Sequence, residues 1–258
     1  MARDNIATML SGQRWFEYER PFRHLRATNV FRREIYETLE LNFRNTLTEF
    51  NVTEVGQANN SDSRYDAWTM GVTPSTAALF YPFFSREWHD LISNLVGVAT
   101  TGHIDGGLHH HRVGSANGWI HNDLCVGWFP GPCGATNIVL SDHAGCNYST
   151  GVCRDRHIEP VCVVRSVALI FYLANSDWAP GYGGDTGLYE TPFDSIQNAS
   201  ASVPPVNNSL IIFECTPHSY HSFRSNLQIE RNCIVLWAHS TVETVSAKFG
   251  KASIAKWT

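Results

Sequence analysis

SLIIFECTPHSYHSFRSNLQIERNCIVLWAH, residues 209–239, contains two short apolar runs, SLIIFE and NCIVLWAH, on either side of a polar segment rich in Ser, His and Asn. Runs of this length, rich in β-branched and aromatic residues and bounded by turn formers, predict strands. The same texture begins after Gly97 and recurs in WIHNDLCVGWF (119–129) and VCVVRSVALIFYLA (161–174). Between them, Pro130–Glu159 is irregular and rich in Cys, His, Gly and Asn, long enough to be a lid or a binding segment. Trp178–Gly187 is Gly-rich and turn-like. The predicted architecture is mainly β with flanking helices: an antiparallel double-sheet jelly roll, or double-stranded β-helix.

Upstream the periodicity changes. Val30, Phe31, Ile35, Leu39, Phe43 and Leu47 recur at three- or four-residue spacing and predict a helix over Asn29–Phe50. Ser85 is placed to cap a second helix carrying Trp88, Leu91, Ile92, Leu95 and Val96. With no linker or repeat, 1–258 reads as a single domain, with 1–97 as helical support and 98–245 as the jelly-roll core.

Composition narrows the function. Hydrophobic residues make up 43% and charged residues 17%, so the chain can build a core, and a net charge of -5 without a basic run argues against nucleic acid. No apolar run approaches a membrane span, and charges in MARDNIATMLSGQRWFEYER occupy the place of a signal peptide's apolar segment. A soluble, cytoplasmic protein is expected, acting on a small molecule and engaging no membrane. The seven cysteines are odd in number and lack a CxxC pair, so most are expected to be reduced core thiols.

The chemistry is carried by histidines and one aspartate. If IHNDL is a strand, His121 and Asp123 point to one face, as residues two apart do. His221, directly after SLIIFE, can supply a third ligand. Two imidazoles and a carboxylate on one face of an octahedral ion suit non-haem Fe(II), leaving positions open for a bidentate ligand and dioxygen. His103-Ile104-Asp105 offers a competing His-x-Asp, and His218 a competing distal histidine. His109, His110 and His111 cannot all reach one ion from a strand, because their side chains alternate faces. Cys133, Cys146 and Cys153 with His143 and His157 match no familiar zinc spacing.

Taken in order, HND (121–123), FYLAN (171–175), GYGGDTGLY (181–189) and SYHSF (219–223) followed by ERNCIVLW (230–237) resemble the Fe(II)/2-oxoglutarate-dependent dioxygenases, especially the prolyl-hydroxylase-like branch. The resemblance covers roughly Gly97–His239. It implies that His121, Asp123 and His221 hold Fe(II), with the lead-in HHHRVGSANGW and the Ser-aromatic-His ending favouring them over their rivals. It further implies that Arg231 anchors the distal carboxylate of 2-oxoglutarate, that Tyr172 assists, and that His111, standing where relatives often carry Tyr, contacts the co-substrate. A buried carboxylate needs such a charged, hydrogen-bonding partner.

The implied reaction consumes O2 and 2-oxoglutarate and oxidises a C–H bond. Retention of Asp123 favours hydroxylation, because halogenating relatives replace it with a small residue. A small, amino-acid-derived metabolite is the expected substrate. The alternatives are a protein prolyl hydroxylase and a non-catalytic cupin-like binding protein, which would keep the metal but need no Arg231.

Overall fold

The computed structural model describes residues 5–12, 14–50, 52 and 66–256; residues 1–4 of the charged N-terminal stretch lie outside them. The elements in chain order are α1 (Ile6–Met9), β1 (Phe16–Tyr18), β2 (His24–Thr28), α2 (Arg33–Glu49), β3 (Trp68–Gly71), α3 (Arg86–Val96), β4 (His103–His111), β5 (Val126–Phe129), β6 (Val139–Leu140), β7 (Val161–Tyr172), β8 (Thr186–Tyr189), β9 (Ala201–Val203), β10 (Ser209–Glu214), β11 (Tyr220–Phe223), β12 (Arg231–Thr241) and α4 (Val242–Phe249). A large sheet runs β1-β2-β10-β7-β12-β4-β3, with β5 added beside β7 and β6 beside β4, and a small sheet runs β11-β8-β9. The fold is therefore mainly β with flanking helices, as the strand grammar predicts.

Alternation along the central strands separates two apolar layers. Leu169 and Phe171 of β7 and Ile234 and Leu236 of β12 face outward and pack with Leu39 and Phe43 of α2 and Trp88 and Ile92 of α3. Ile170 and Tyr172, with Cys233 and Val235, face inward and join Leu188 and Val203 of the small sheet. The helices thus buttress one face of the large sheet, and the small sheet covers the other. Ser85 caps α3 by accepting from the Trp88 backbone N–H at 3.2 Å.

Three expectations need correction. The first 97 residues are more than helical support, because β1 and β2 extend one edge of the large sheet and β3 forms the other. Helix α2 begins at Arg33, since Val30 and Phe31 are held by backbone bonds to Asn208 and a bridge to Leu10. WIHNDLCVGWF is a strand only from Val126. The Asn122 side chain accepts from the Leu124 N–H at 3.2 Å, and Cys125 N–H bonds to Asp123 C=O at 2.8 Å, so the chain turns where a strand was expected.

Candidate metal centre

His121 and Asp123 reach a common point without sharing a strand. His121 pairs with His221 of β11 through reciprocal backbone hydrogen bonds of 3.1 and 2.9 Å, an isolated bridge that ties the loop to the small sheet. Their ring centroids lie 4.5 Å apart. The turn at Asn122 then brings Asp123 between them, with its carboxylate oxygens 3.7 Å from His121 Nε2 and 3.4 Å from His221 Nε2. One ligand atom from each of the three residues lies within 4.8 Å of the others, and among the described residues no other His, Cys, Asp or Glu cluster meets that spacing.

Hydrogen bonding prepares both rings for a cation. His121 Nδ1 lies 2.9 Å from the Trp119 carbonyl, and His221 Nδ1 lies 3.1 Å from the Ser219 carbonyl. A carbonyl can only accept, so both Nδ1 atoms carry the proton, and each Nε2 is left with the lone pair a metal requires. The donors, two imidazole nitrogens and a carboxylate, suit a divalent first-row ion such as Fe(II). Asp123 and His221 have only 7% side-chain exposure, whereas His121 retains 30%, so the site opens on the His121 side.

In the ion-free site the three groups share charge unequally. Burial, together with the charge of His221, drives the His121 pKa down to about 4. Burial opposes the charge on Asp123, yet the His221 hydrogen bond and neighbouring positive groups hold its pKa below the usual carboxylate range. Burial also works against protonated His221, but its bond to Asp123 prevails and raises its pKa. A cation would take the place of the His221 proton.

Two residues outside the sequence reading hold Asp123. Trp237 of β12 donates its indole N–H to Asp123 Oδ2 at 2.8 Å, and Arg165 of β7 approaches Asp123 Oδ1 at 3.6 Å. Arg165 also pairs with Asp105 at 3.1 Å, donates to the Tyr148 hydroxyl at 3.0 Å and stacks 3.7 Å above the Trp237 ring. Its place on the inner face comes from a bulge. Pairing of β12 with β7 shifts between Ala238 and His239, which face Val167 and Arg165, so the extra residue Ser166 inverts the alternation.

A second cluster lies toward the start of β12. Arg231 is 2% exposed and donates to Thr186 Oγ1 at 3.1 Å and to the Cys233 sulfur at 3.2 Å, with its guanidinium over the rings of Tyr172 and Phe223. Tyr172 and Thr186 share a 2.7 Å hydrogen bond, and burial raises the Tyr172 pKa, so its hydroxyl stays protonated. The GG of GYGGDTGLY is sterically required. A Cβ on Gly183, at φ +73°, would lie 2.0 Å from Ser225 O, and one on Gly184 would crowd Asn226 and Arg231. Thr186 follows this turn directly; that position in GGDTG was its only signal in the sequence.

The remaining histidines sort by strand face. His111 pairs in register with Arg231, but its Nδ1 lies 3.1 Å from Asp66 O and its ring stacks on Phe223 at 3.7 Å, so it supports the wall beside Arg231. His109, on the same face, is held neutral with a pKa of about 3 by burial and by the charge of Arg231. His110 faces the other way and bonds to Asn232 at 2.7 Å. Of the rival ligands, Asp105 is engaged by Ser141, His143 and Arg165, His103 lies 3.0 Å from Gly131 O, and His218 is exposed on a turn. In the long loop, His143 turns to Asp105 and Cys133 to backbone carbonyls, which leaves the zinc alternative no cluster. Cys146, Cys215 and Cys233 are buried, while the other four cysteines are partly exposed.

A triad of two imidazoles and a carboxylate and a buried arginine thus stand within one double-stranded β-helix. Residues 144–239 match the model of the 2OG-Fe(II) oxygenase superfamily, a segment that includes Tyr172, His221 and Arg231 but not His121 or Asp123. A prolyl-4-hydroxylase from Pseudomonas putida superposes with a TM-score of 0.53 at 14% identity, covering 91% of this chain and 98% of that one. A prolyl hydroxylase from Trichoplax adhaerens, solved with a hypoxia inducible factor peptide fragment, superposes with a TM-score of 0.55 at 15% identity, covering 87% and 86%. No curated protein matches the chain by sequence. Over residues 144–239 the chain is similar to the 2OG-Fe(II) oxygenase superfamily, and it has the fold of the prolyl hydroxylases it superposes on. The matched family is one of oxygenases that use Fe(II) and 2-oxoglutarate. No helix among the described residues is long and apolar enough to cross a membrane.

Proposed function

We propose that His121, Asp123 and His221 hold the iron, that Arg231 with Thr186 and Tyr172 receives the distal carboxylate of 2-oxoglutarate, and that the enzyme hydroxylates a C–H bond of a small, amino-acid-derived metabolite. The observation that carries the reading is the convergence of His121 Nε2, His221 Nε2 and the Asp123 carboxylate, with both Nδ1 protons fixed by backbone carbonyls. When bound, Fe(II) supplies the site for dioxygen and for the oxidative decarboxylation of 2-oxoglutarate to succinate and carbon dioxide.

The protein's own part is positional. Trp237 and Arg165 orient the Asp123 carboxylate, which accepts the indole N–H and would hold the ion together with the two imidazoles. The guanidinium and the Thr186 hydroxyl present donors to a carboxylate inside an apolar wall of Val235, Ile170 and Leu188. His111 acts by supporting Phe223. A second reading, hydroxylation of a peptidyl proline, is favoured by the likeness to the Trichoplax prolyl hydroxylase, solved with a peptide.

Coupled succinate release from the Fe(II)-loaded enzyme separates the two. Turnover with free amino acids or their derivatives, and none with proline-containing peptides, supports the metabolite reading; the reverse pattern establishes the peptide reading.

A further inference from the structure

The loop between β5 and β7 folds into a small hairpin whose only ladder contact is a bridge between Cys146 and Cys153. Asn147 N–H bonds to Val152 O at 2.9 Å, and Arg154 N–H bonds to Gly145 O at 2.8 Å. These bonds flank the cysteines, which makes Cys146 and Cys153 a non-hydrogen-bonded antiparallel pair. At such pairs the Cα atoms approach to about 4.5 Å and the side chains lie on one face, within the span that a disulfide bridges. Both thiols are free. Cys153 is partly exposed, whereas Cys146 is buried.

We infer that Cys146 and Cys153 form a redox modification site, closed to a disulfide by a low-molecular-weight disulfide oxidant such as oxidised glutathione. The accessible Cys153 thiolate attacks one sulfur of the oxidant, breaking its S–S bond and releasing one glutathione thiolate. The Cys146 thiolate then attacks the Cys153 sulfur of the mixed disulfide, forming the protein S–S bond and releasing the second glutathione. The two cysteines are oxidised, the oxidant's disulfide is reduced, and the two thiol protons pass to the departing thiolates. Burial and the neighbouring Cys153 raise the Cys146 pKa to about 12, so closure by Cys146 is the slower step.

The site has a structural consequence. The hairpin carries Tyr148, whose hydroxyl accepts from Arg165 and whose backbone carbonyl receives the Trp128 N–H at 2.9 Å. It is seated on β5 through two glycines. A Cβ on Gly127 would meet the Tyr148 ring at 2.4 Å, and one on Gly151 the Trp128 ring at 2.6 Å. A cross-link at the base of this hairpin therefore pins the residue that braces Arg165. The inference does not depend on the identity of the metal or of the substrate.

The test is anaerobic incubation of the full-length protein with oxidised glutathione, followed by alkylation of remaining thiols and unreduced chymotryptic mapping, which cuts after Tyr148 between the two cysteines. The expected result is the loss of two alkylatable thiols, restored by dithiothreitol, with a cross-link joining the Cys146 and Cys153 peptides. The cross-link should persist in Cys133→Ser and disappear in Cys153→Ser. Retention of all thiols in wild type, or a cross-link that maps elsewhere, would overturn the inference.

Discussion

Two buried arginines stand on the inner face of the same sheet and do different work. Arg165 on β7 is ringed by two aspartates, a tyrosine hydroxyl and an indole face. Arg231 on β12 contacts a threonine hydroxyl, a cysteine sulfur and two aromatic faces. A buried cation matched by two carboxylates braces the architecture, and under the proposed function Arg231 receives a carboxylate that arrives from outside.

Replacing each arginine by methionine should separate these roles. Arg165→Met leaves Asp105 and Asp123 buried without their cation, and it is expected to lower stability by about 3–5 kcal/mol. Chemical denaturation of the metal-free protein reads this directly. Arg231→Met should instead weaken 2-oxoglutarate binding roughly 30-fold or more, since truncating one partner of a buried charged pair costs about 2–5 kcal/mol. Its effect on stability should be smaller than that of Arg165→Met. Were Arg165→Met to change co-substrate affinity as much as Arg231→Met, the division would collapse.

Trp237→Phe refines the brace, because it removes the indole donor to Asp123 while keeping the ring under Arg165. Iron affinity should drop about 10–100-fold with little change in the 2-oxoglutarate dependence measured at saturating iron. An unchanged iron affinity would make the Trp237 bond a packing detail.

The smallest effect concerns pH. His239 is buried, shares a 2.7 Å hydrogen bond with Tyr148, and has a pKa lowered by burial to about 3. Its folded pKa lies below the unfolded value near 6.5, so between these values the unfolded chain binds more protons and stability increases with pH. The contribution is complete above roughly pH 6.5 and is lost as the pH falls, by at most about 1.4 kcal/mol per unit for this residue. Unfolding free energies of wild type and His239→Gln, measured in the metal-free protein from pH 7 to pH 5, should converge as the pH falls. Parallel curves would show that His239 titrates alike in the folded and unfolded states.

The contrast between the arginines also explains what the sequence could and could not tell. Arg231 was singled out through the family resemblance, as the arginine on the strand after the distal histidine, and it does open β12 with its side chain buried. Arg165 was hidden. Strict alternation along VCVVRSVALIFYLA puts it on the same face as Val167, Leu169 and Phe171, toward the helices, and only the bulge at Ser166 turns it inward. His121 and Asp123 were correctly paired for an incomplete reason, since the Asn122 turn, and not a strand, brings them together. The strands β1 and β2 escaped notice because FEY and HLRAT are too short and too polar to show a period. Thr186 gave no signal beyond its place after a glycine turn, since a hydroxyl in a strand is ordinarily silent.

The most direct test of the central claim is anaerobic titration of the Fe(II)-loaded protein with 2-oxoglutarate, followed by visible absorption and repeated with His221→Ala and Arg231→Met. The account predicts a weak charge-transfer band that saturates in wild type, is absent in His221→Ala for want of iron, and requires at least roughly 30-fold more 2-oxoglutarate in Arg231→Met. A wild-type protein that holds iron yet develops no band, or an Arg231→Met variant that saturates at the wild-type concentration, would contradict it.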